Sequence, residues 1–304
     1  STDANDLLCT PSDKKVLLGK ELTRGLGAGA NSEIGEAAAK EQEQEIKDVL
    51  QGADMVFICG GMGGGTGTGA IPVVARVAKK LNALTIAVVT IPFKMEGKNR
   101  MKVAMSGIEK LKDVVDTLIV IPNEKLRAIA PDLPLPIALK VADDVLTNAV
   151  KGITELITRP GLINVDFADV KTIMSNGGVA LISSAESDAK DKKIETIVEK
   201  VLNNPLIDVD LSTAKGMLID VSGGSSLTLE EASSIVDMVT RKLPEDITVI
   251  WGAHIFPDLK NTIRVMAIIT GVTSKQILGK SISEEKELKD KQEVEEELGI
   301  KFLG

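Results

Sequence analysis

The sequence predicts an α/β fold in which a doubly wound, mainly parallel sheet domain is joined by a long central helix to a smaller α+β domain. Three features of the 304-residue chain lead to this prediction. Its first half alternates Val- and Ile-rich runs, typical of buried parallel strands, with segments of helical period. A long apolar-striped stretch follows and ends at Pro160-Gly161. Shorter strands and helices complete the chain without another glycine-rich loop.

The first half contains three predicted strands, each followed by a loop and a helix or a turn. We predict strands at Met55–Cys59, Leu84–Thr90 and Thr117–Ile121, and helices at Ile34–Leu50, Ala70–Leu81 and Lys98–Val114. This alternation favours a parallel sheet covered by helices. Ligands of such sheets bind beyond the carboxyl ends of the strands, so the loops that follow the strands are where a site is expected.

The second half begins with the predicted central helix, Leu135–Ile157, whose apolar residues recur at three- and four-residue spacings. Beyond it we predict helices at Val170–Ser175, Lys190–Leu202 and Leu229–Lys242, and strands at Val179–Ser183, Gly216–Val221, Thr248–Ile255 and Thr262–Gly271. The predicted units are residues 1–134 for the first domain, 135–160 for the central helix, 161–273 for the α+β domain and 274–304 for a charged tail.

Composition argues against several classes of protein. A net charge of −8 is unfavourable for a general nucleic-acid or anionic-membrane binder. Five Phe, one Trp and no Tyr leave little aromatic surface on which bases could stack. No apolar run is long enough to span a bilayer, and Cys9 and Cys59 are too few for a disulfide framework. We therefore expect a cytoplasmic protein with no nucleic-acid partner and no direct membrane insertion.

The strongest local signal is a glycine-rich loop between a predicted strand and a predicted helix. Seven of its ten residues are glycine: Gly60, Gly61, Met62, Gly63, Gly64, Gly65, Thr66, Gly67, Thr68 and Gly69. Such a loop lets backbone N–H groups approach an anion at a helix N-terminus, and the two threonines add hydroxyl donors. We predict that it binds nucleotide phosphates. The P-loop pattern is absent, whereas GxGxxA fits Gly65–Ala70, so a dinucleotide-binding oxidoreductase is a weaker alternative.

Further segments, in the right order, make the chain resemble the tubulin/FtsZ family, more closely FtsZ than eukaryotic tubulin. Residues 63–69 read GGGTGTG, the phosphate motif of that family. Residues 23–31 resemble its second phosphate loop, 92–100 its ribose-contacting segment, 121–126 and 142–146 its base-contacting segments, and 164–170 its catalytic loop. The similarity covers nearly the whole chain. It implies a GTPase whose nucleotide-binding domain is residues 1–134 and whose cofactors are GTP or GDP and Mg²⁺.

The resemblance also implies a role for each matching residue. Besides the glycine loop, phosphate contacts would come from Gly27, Ala28, Gly29 and Ala30, and ribose-side contacts from Glu96 and Arg100. Asn123, Leu139 and Asp143 would contact the base. The Asp143 carboxylate would accept two hydrogen bonds from guanine that adenine cannot donate. Leu139 stands where an aromatic residue is common, and it would pack less specifically against the base.

Asn164, Asp166 and Asp169 match the catalytic loop of the family. By themselves, the two aspartates are typical of a helix-capping pair. The resemblance implies that they enter the site of the next subunit and orient a water for attack on the γ-phosphate. The partner would then be a second copy of this chain, in a head-to-tail filament at the site of cell division. The charged tail would dock other division proteins.

One observation qualifies this interpretation. The family usually begins with a strand–loop–helix unit ahead of the segment that Ser1-Thr2-Asp3-Ala4 resembles, so we expect the sequence to be a fragment. The difference also motivates an alternative, a non-hydrolysing nucleotide-binding scaffold. His254 lies in a predicted strand, and a lone histidine there is expected to be structural.

Overall fold

A computed structural model describes residues 1–125, 135–188, 193–202 and 209–273 of the chain. The first half contains α1 (Ala4–Cys9), α2 (Ser32–Glu41), α3 (Glu43–Leu50), β1 (Met55–Gly61), α4 (Thr66–Lys80), β2 (Leu84–Ile91), α5 (Lys98–Lys112) and β3 (Thr117–Pro122). The second half contains α6 (Leu135–Thr158), α7 (Phe167–Met174), β4 (Gly178–Ser187), α8 (Lys193–Leu202), β5 (Gly216–Gly223), α9 (Leu229–Thr240), β6 (Thr248–Ile255) and β7 (Ile263–Thr270).

The described strands form one sheet in the order β1-β2-β3-β4-β7-β5-β6. Every neighbouring pair is parallel except the two that involve β7, which runs antiparallel to β4 and β5. The parallel pairing of Thr117–Ile119 with Gly178–Ala180 continues the sheet across the two predicted domains. The predicted fold class is confirmed, and the carboxyl ends of all strands except β7 lie along the same edge of the sheet.

Helices cover both faces of the sheet, as its apolar strands require. Strands β2 and β3 are buried at every position, which is typical of central parallel strands. One face packs against α4, α5, α8 and α9, and the other packs against α6 and α7. On the second face, Ile153 of the central helix and Met174 of α7 are fully buried. The central helix is therefore held by its C-terminal half against the middle of the sheet.

Three local differences from the predicted elements arise from tertiary contacts. Helix α4 begins at Thr66 rather than near Ala70, because its glycines pack closely enough for the first turn to form within the glycine loop. The predicted helix at 34–50 is two helices that meet at Gln42, whose side chain accepts a hydrogen bond from the Gly19 N–H group. The short helix α1, capped by Asp3, was not predicted.

The other predicted elements are confirmed with ends shifted by a few residues. Strand β6 has the predicted bounds, and the central helix ends one residue later than predicted. The charged tail, residues 274–304, lies outside the described residues. Among the residues that the structure describes, no helix combines the length and apolar character needed to cross a membrane.

Candidate functional site

Three loops that follow neighbouring strands meet at the carboxyl edge of the sheet. Register pairs Gly61 with Thr90, and Thr90 with Ile121, so β1, β2 and β3 end side by side. The Met62 N–H group donates to the Thr90 carbonyl over 2.9 Å. The Lys94 N–H group donates to Glu124 Oε2 over 3.0 Å. These bonds join the glycine loop, the 92–97 segment and the residues after β3 into one continuous surface.

Most glycines of the loop are required by close packing rather than by open access to a ligand. A Cβ on Gly67 would lie 2.3 Å from the Gly61 carbonyl oxygen, and one on Gly69 would lie 2.1 Å from the Ser32 carbonyl oxygen. Gly63 has φ +97° and lies against Arg100. Gly64 alone in the loop has no atom within 4 Å of its Cβ position. Gly64 thus leaves room for the predicted ligand approach, whereas its neighbours mainly let α4 start tightly against β1 and α2.

The first turn of α4 is suited to bind an anion. No side chain caps this helix, whose N-cap is Gly65, so its first N–H groups lack the usual side-chain acceptor. The helix dipole adds partial positive charge at the same point. The Thr68 hydroxyl is buried, and its oxygen accepts from the Gly63 N–H group over 2.8 Å, so it holds the turn. The arrangement provides backbone donors for a phosphate group.

The second predicted phosphate loop lies beside the first. The Cβ position of Gly65 lies 2.7 Å from Ala28 Cβ and 2.9 Å from the Asn31 carbonyl oxygen, so the chain from 27 to 31 borders the start of α4. Gly27, Gly29 and Ala30 all have positive φ, which shapes this segment as a tight turn. The structure therefore brings residues 27–30 and 64–66 together, as the sequence predicted.

One residue of this region was missed by the sequence analysis. Thr2 is completely buried, and its hydroxyl lies 2.6 Å from that of Thr66. Thr2 thereby orients a hydroxyl at the first position of α4. The two residues are 64 positions apart, so no local pattern could have indicated the contact.

The predicted ribose-side residues form a pair next to the glycine loop. Arg100 Nη1 lies 3.1 Å from Glu96 Oε2, one helical turn away. Glu96 Oε1 accepts from the Phe93 N–H group over 2.8 Å. The Arg100 stem and backbone border Gly63. Both side chains are thus held at the edge of the loop, with the Arg100 side chain half exposed.

The predicted base-side residues differ in what the structure shows of them. Asn123 follows β3, and its Oδ1 atom is buried without a hydrogen-bond partner among the described residues. A buried acceptor without a partner is costly, so this oxygen is suited to receive a donor from a ligand. Asp143 is exposed on α6. The side chain of Leu139 lies outside the described residues.

Asp166 and Asp169 form a reciprocal capping box at the start of α7. Asp166 Oδ1 accepts from the Asp169 N–H group over 2.8 Å, and Asp169 Oδ2 accepts from the Asp166 N–H group over 3.1 Å. The capping interpretation is therefore confirmed. Asp166 is exposed, and Asp169 is half-buried. Asn164 Oδ1 accepts from the Gly161 N–H group over 2.7 Å, which fixes the loop before the helix.

The loop that carries Asn164, Asp166 and Asp169, here called the Asp166 loop, lies far from the glycine loop of its own chain. Ile163 pairs with Ala253 of β6, and Val165 packs over Gly252. The glycine loop follows β1, at the other end of the strand order. Six strand-to-strand steps of 4.7–4.9 Å separate β1 from β6, which corresponds to about 29 Å. The structure thus unites the predicted phosphate loops and ribose-side residues but leaves Asn164, Asp166 and Asp169 apart from them.

Comparisons with known proteins find the same family in both halves of the chain. The family models described as Tubulin/FtsZ family, GTPase domain, and FtsZ family, C-terminal domain, match residues 1–131 and 178–273. Cell division protein FtsZ 1 of Methanocaldococcus jannaschii is 59% identical over 275 residues, which are 90% of this chain and 75% of that protein. The protein of the same name from Thermococcus kodakarensis is 56% identical over 287 residues, 94% and 75% of the two chains. A solved structure described as an empty FtsZ dimer of M. jannaschii matches with a TM-score of 0.84 and 55% identity, covering 92% and 85%.

Proposed function

Because the chain belongs to the tubulin/FtsZ family of GTPases, we propose that it is a cell-division protein that polymerises head to tail and completes its catalytic site where two copies meet. The separation of about 29 Å between the glycine loop and the Asp166 loop carries the proposal, because no side chain spans it. The two relatives described above are named cell division proteins, and the M. jannaschii structure is described as a dimer. We place the filament in the cytoplasm at the division site, with the tail available to other division proteins.

The nucleotide would bind across the carboxyl edge of β1, β2 and β3. Its phosphates would take the backbone donors at the start of α4 and the turn at residues 27–30. Its base would supply the donor that Asn123 Oδ1 lacks among the described residues. Asp143 on α6 would accept from the N1 and N2 groups of guanine, which gives selectivity over adenine. The match to the Tubulin/FtsZ GTPase domain model favours this ligand over a dinucleotide.

Mg²⁺ would enter with the triphosphate. Among the described residues, no group of three His, Cys, Asp or Glu side chains could hold a metal ion. Mg²⁺ favours phosphate and water oxygens and needs few protein ligands, so the triphosphate and water would supply most of its ligands. When bound, the ion would offset charge on the phosphate oxygens.

The Asp166 loop of the neighbouring subunit would supply the groups that position water. Its capping box fixes both carboxylates, of which Asp166 is exposed. A carboxylate can accept a hydrogen bond from water and orient its oxygen in line with the bond to be broken. The water oxygen then bonds to the γ-phosphorus as the bond to the bridging oxygen breaks, releasing GDP and inorganic phosphate. Asn164 would help to hold the water.

Turnover per subunit should rise with protein concentration. Dilute chains would bind GTP but lack the second half of the site, whereas filaments supply it at each contact. The measurement is phosphate release per chain from dilute to concentrated protein, with sedimentation in GTP, GDP and no nucleotide recorded in parallel. Turnover per chain that stays constant over the whole range would contradict the shared site.

Asp143→Asn should change the preferred base. The amide presents an N–H group where guanine also presents donors, so GTP affinity should fall by about tenfold or more, which corresponds to roughly 1–3 kcal/mol. Xanthine carries a carbonyl at that position and should bind the variant better than the parent chain. Competition binding with GDP and XDP measures both effects. Equal losses for the two nucleotides would place Asp143 outside the base site. Asp144→Asn, at the adjacent exposed position, is the matched control.

A further inference from the structure

His254 is buried between two hydrogen-bond acceptors. Its side chain lies on β6, and the residue is 3% exposed. Nδ1 lies 2.6 Å from Asp220 Oδ1 on the neighbouring strand β5, and Nε2 lies 3.2 Å from the carbonyl oxygen of Arg159. A neutral imidazole has one N–H group and can donate to only one of these acceptors. Both bonds together therefore require the imidazolium form.

The Asp220 carboxylate is itself held by a second bond. Ser222 Oγ lies 2.6 Å from Asp220 Oδ2, and the Ser222 residue is register partner of His254. The serine hydroxyl thus points at the carboxylate rather than at the imidazole. Because the Ser222 hydroxyl bonds to the carboxylate and not to the imidazole, His254 cannot activate it as a nucleophile. The arrangement instead fits an Asp220 carboxylate that is held in place and pairs with the His254 imidazolium.

The other side of His254 holds the chain that leads from α6 to the Asp166 loop. Arg159 is the residue after α6, and Gly161 packs on the imidazole so closely that a Cβ there would lie 2.9 Å from Nε2. The Leu162 N–H group donates to the Ala253 carbonyl over 2.8 Å, and the Ala253 N–H group donates to the Ile163 carbonyl over 3.0 Å. Residues 159–164, here called the latch segment, are therefore attached to β6 at and beside His254.

The charged groups around His254 favour its protonated form. The hydrogen bond to Asp220 raises the pKa of His254 above its ordinary value; burial opposes this, and the Asp220 charge and the Arg159 carbonyl reinforce it. The Arg159 guanidinium lowers this pKa, but it lies over the Phe256 ring and pairs with Glu155 at 2.7 Å. On β7, Arg264 is the register partner of Ser222, and its guanidinium pairs with Glu186 of β4.

We propose that His254, as an imidazolium held by Asp220, is a positioning residue that fastens the latch segment and thereby sets where Asp166 and Asp169 enter the neighbouring subunit's site. This inference rests on the proposed function of those two aspartates. Loss of the proton leaves one N–H group for two acceptors, so either Asp220 or the latch segment is released. Release would loosen the residues just before Asn164 without touching the nucleotide loops near β1.

The expected pH dependence follows from the raised pKa of His254. A group whose pKa is higher in the folded chain contributes fully below its ordinary value of 6.5, and the contribution is lost as pH rises through the folded value. Turnover should therefore decline on the alkaline side of 6.5, whereas GTP affinity should not follow the same curve.

A histidine titration and a turnover profile together test the latch. The sequence holds a single histidine, so its imidazole NMR signal in the full chain needs no assignment. We expect its midpoint above 6.5, with kcat declining at the same pH while KM for GTP stays constant. Asp220→Asn removes the charge but keeps the shape, so both midpoints should move to lower pH together. At a pH between the midpoint of the parent chain and that of Asp220→Asn, the variant's kcat should be about 3–10-fold below the parent's, as expected for a misplaced catalytic group.

The control is Thr85→Val, which removes the buried bond from Thr85 Oγ1 to the Ala83 carbonyl at the start of β2. It should lower thermal stability without moving either midpoint. A histidine midpoint at or below 6.5, or turnover profiles that superimpose for the parent and Asp220→Asn chains, would refute the latch. Normal hydrolysis by Asp166→Asn would instead refute the proposed catalytic loop. The two failures are thus distinguishable.

Discussion

Asp166→Asn should reduce GTP turnover by about 100-fold or more while leaving GTP affinity within about twofold, because the carboxylate acts on water and not on the bound nucleotide. The reason for choosing asparagine is structural. Asp166 caps α7 through its side-chain oxygen, and asparagine caps helices as well as aspartate does. The variant therefore removes the negative charge and keeps the helix start. Phosphate release and calorimetric GDP binding on the same preparation measure the two quantities.

A matched control separates capping from catalysis. Thr228 caps α9 through a capping box with Glu231, of the same kind as that of Asp166 with Asp169. Thr228→Ala should cost about 0.5–2 kcal/mol of stability and leave turnover unchanged. If Asp166→Asn loses no more turnover than Thr228→Ala, the Asp166 loop serves only as a helix start.

Mixing two inactive chains tests whether the site is shared. Asp166→Asn keeps the nucleotide half of the site, and Asp143→Asn keeps the Asp166 loop. The two chains are mixed in equal amounts, in GTP at a concentration that fills the intact base site in preference to the altered one. If contacts form at random, about one head-to-tail contact in four joins an intact nucleotide half to an intact Asp166 loop, so about a quarter of parent turnover should return. A site contained within one chain would give no recovery beyond the sum of the separate chains.

Gly67→Ala should strongly weaken nucleotide binding and lower the melting temperature. A Cβ at residue 67 would lie 2.3 Å from the Gly61 carbonyl oxygen, a backbone atom that can move away only if the end of β1 or the start of α4 shifts. Overpacking of this kind costs about 1–3 kcal/mol, and the displaced N–H groups of the first turn would no longer converge on phosphate. We expect affinity for GDP to fall by about 100-fold or more, which is about 2.7 kcal/mol.

Gly64→Ala is the matched variant within the same loop. No atom lies within 4 Å of its Cβ position, so the nucleotide-free chain should melt as the parent does. Thermal melts of the three nucleotide-free chains, followed by GDP titrations, distinguish packing from ligand contact. Parent-like GDP affinity in a folded Gly67→Ala chain would show that phosphates bind elsewhere.

The agreement between predicted and observed elements varies with the kind of signal. Strands β2 and β3 are buried at every position, and the Pro160-Gly161 break follows α6, so their predicted ends differ by one residue from those observed. The start of α4 was predicted four residues too late because glycine and threonine are weak helix formers. There, packing against β1 and α2 outweighs propensity.

In the candidate site as well, features within short segments were predicted, whereas contacts between distant segments were not. Local sequence indicated the glycine loop, and the resemblance to the family indicated the turn at 27–30 and Asn123. Strands β1 and β3, which precede the glycine loop and Asn123, lie on either side of β2. Thr2 could not be found in this way, because its only signal is a contact across 64 residues. His254 was expected to be structural, and its two acceptors are 34 and 95 residues away in sequence.

By itself, the sequence determined that this chain is an α/β protein, and it located the glycine loop that is predicted to bind phosphate. Those features depend on apolar period and on residue type within short windows, which neighbouring residues specify directly. Only the tertiary structure decided which loop glycines are needed for packing and where the Asp166 loop lies relative to the glycine loop. Strand order and close contacts depend on residues far apart in the chain, and they separate the predicted catalytic aspartates from the glycine loop of their own chain by six strand-to-strand steps, about 29 Å.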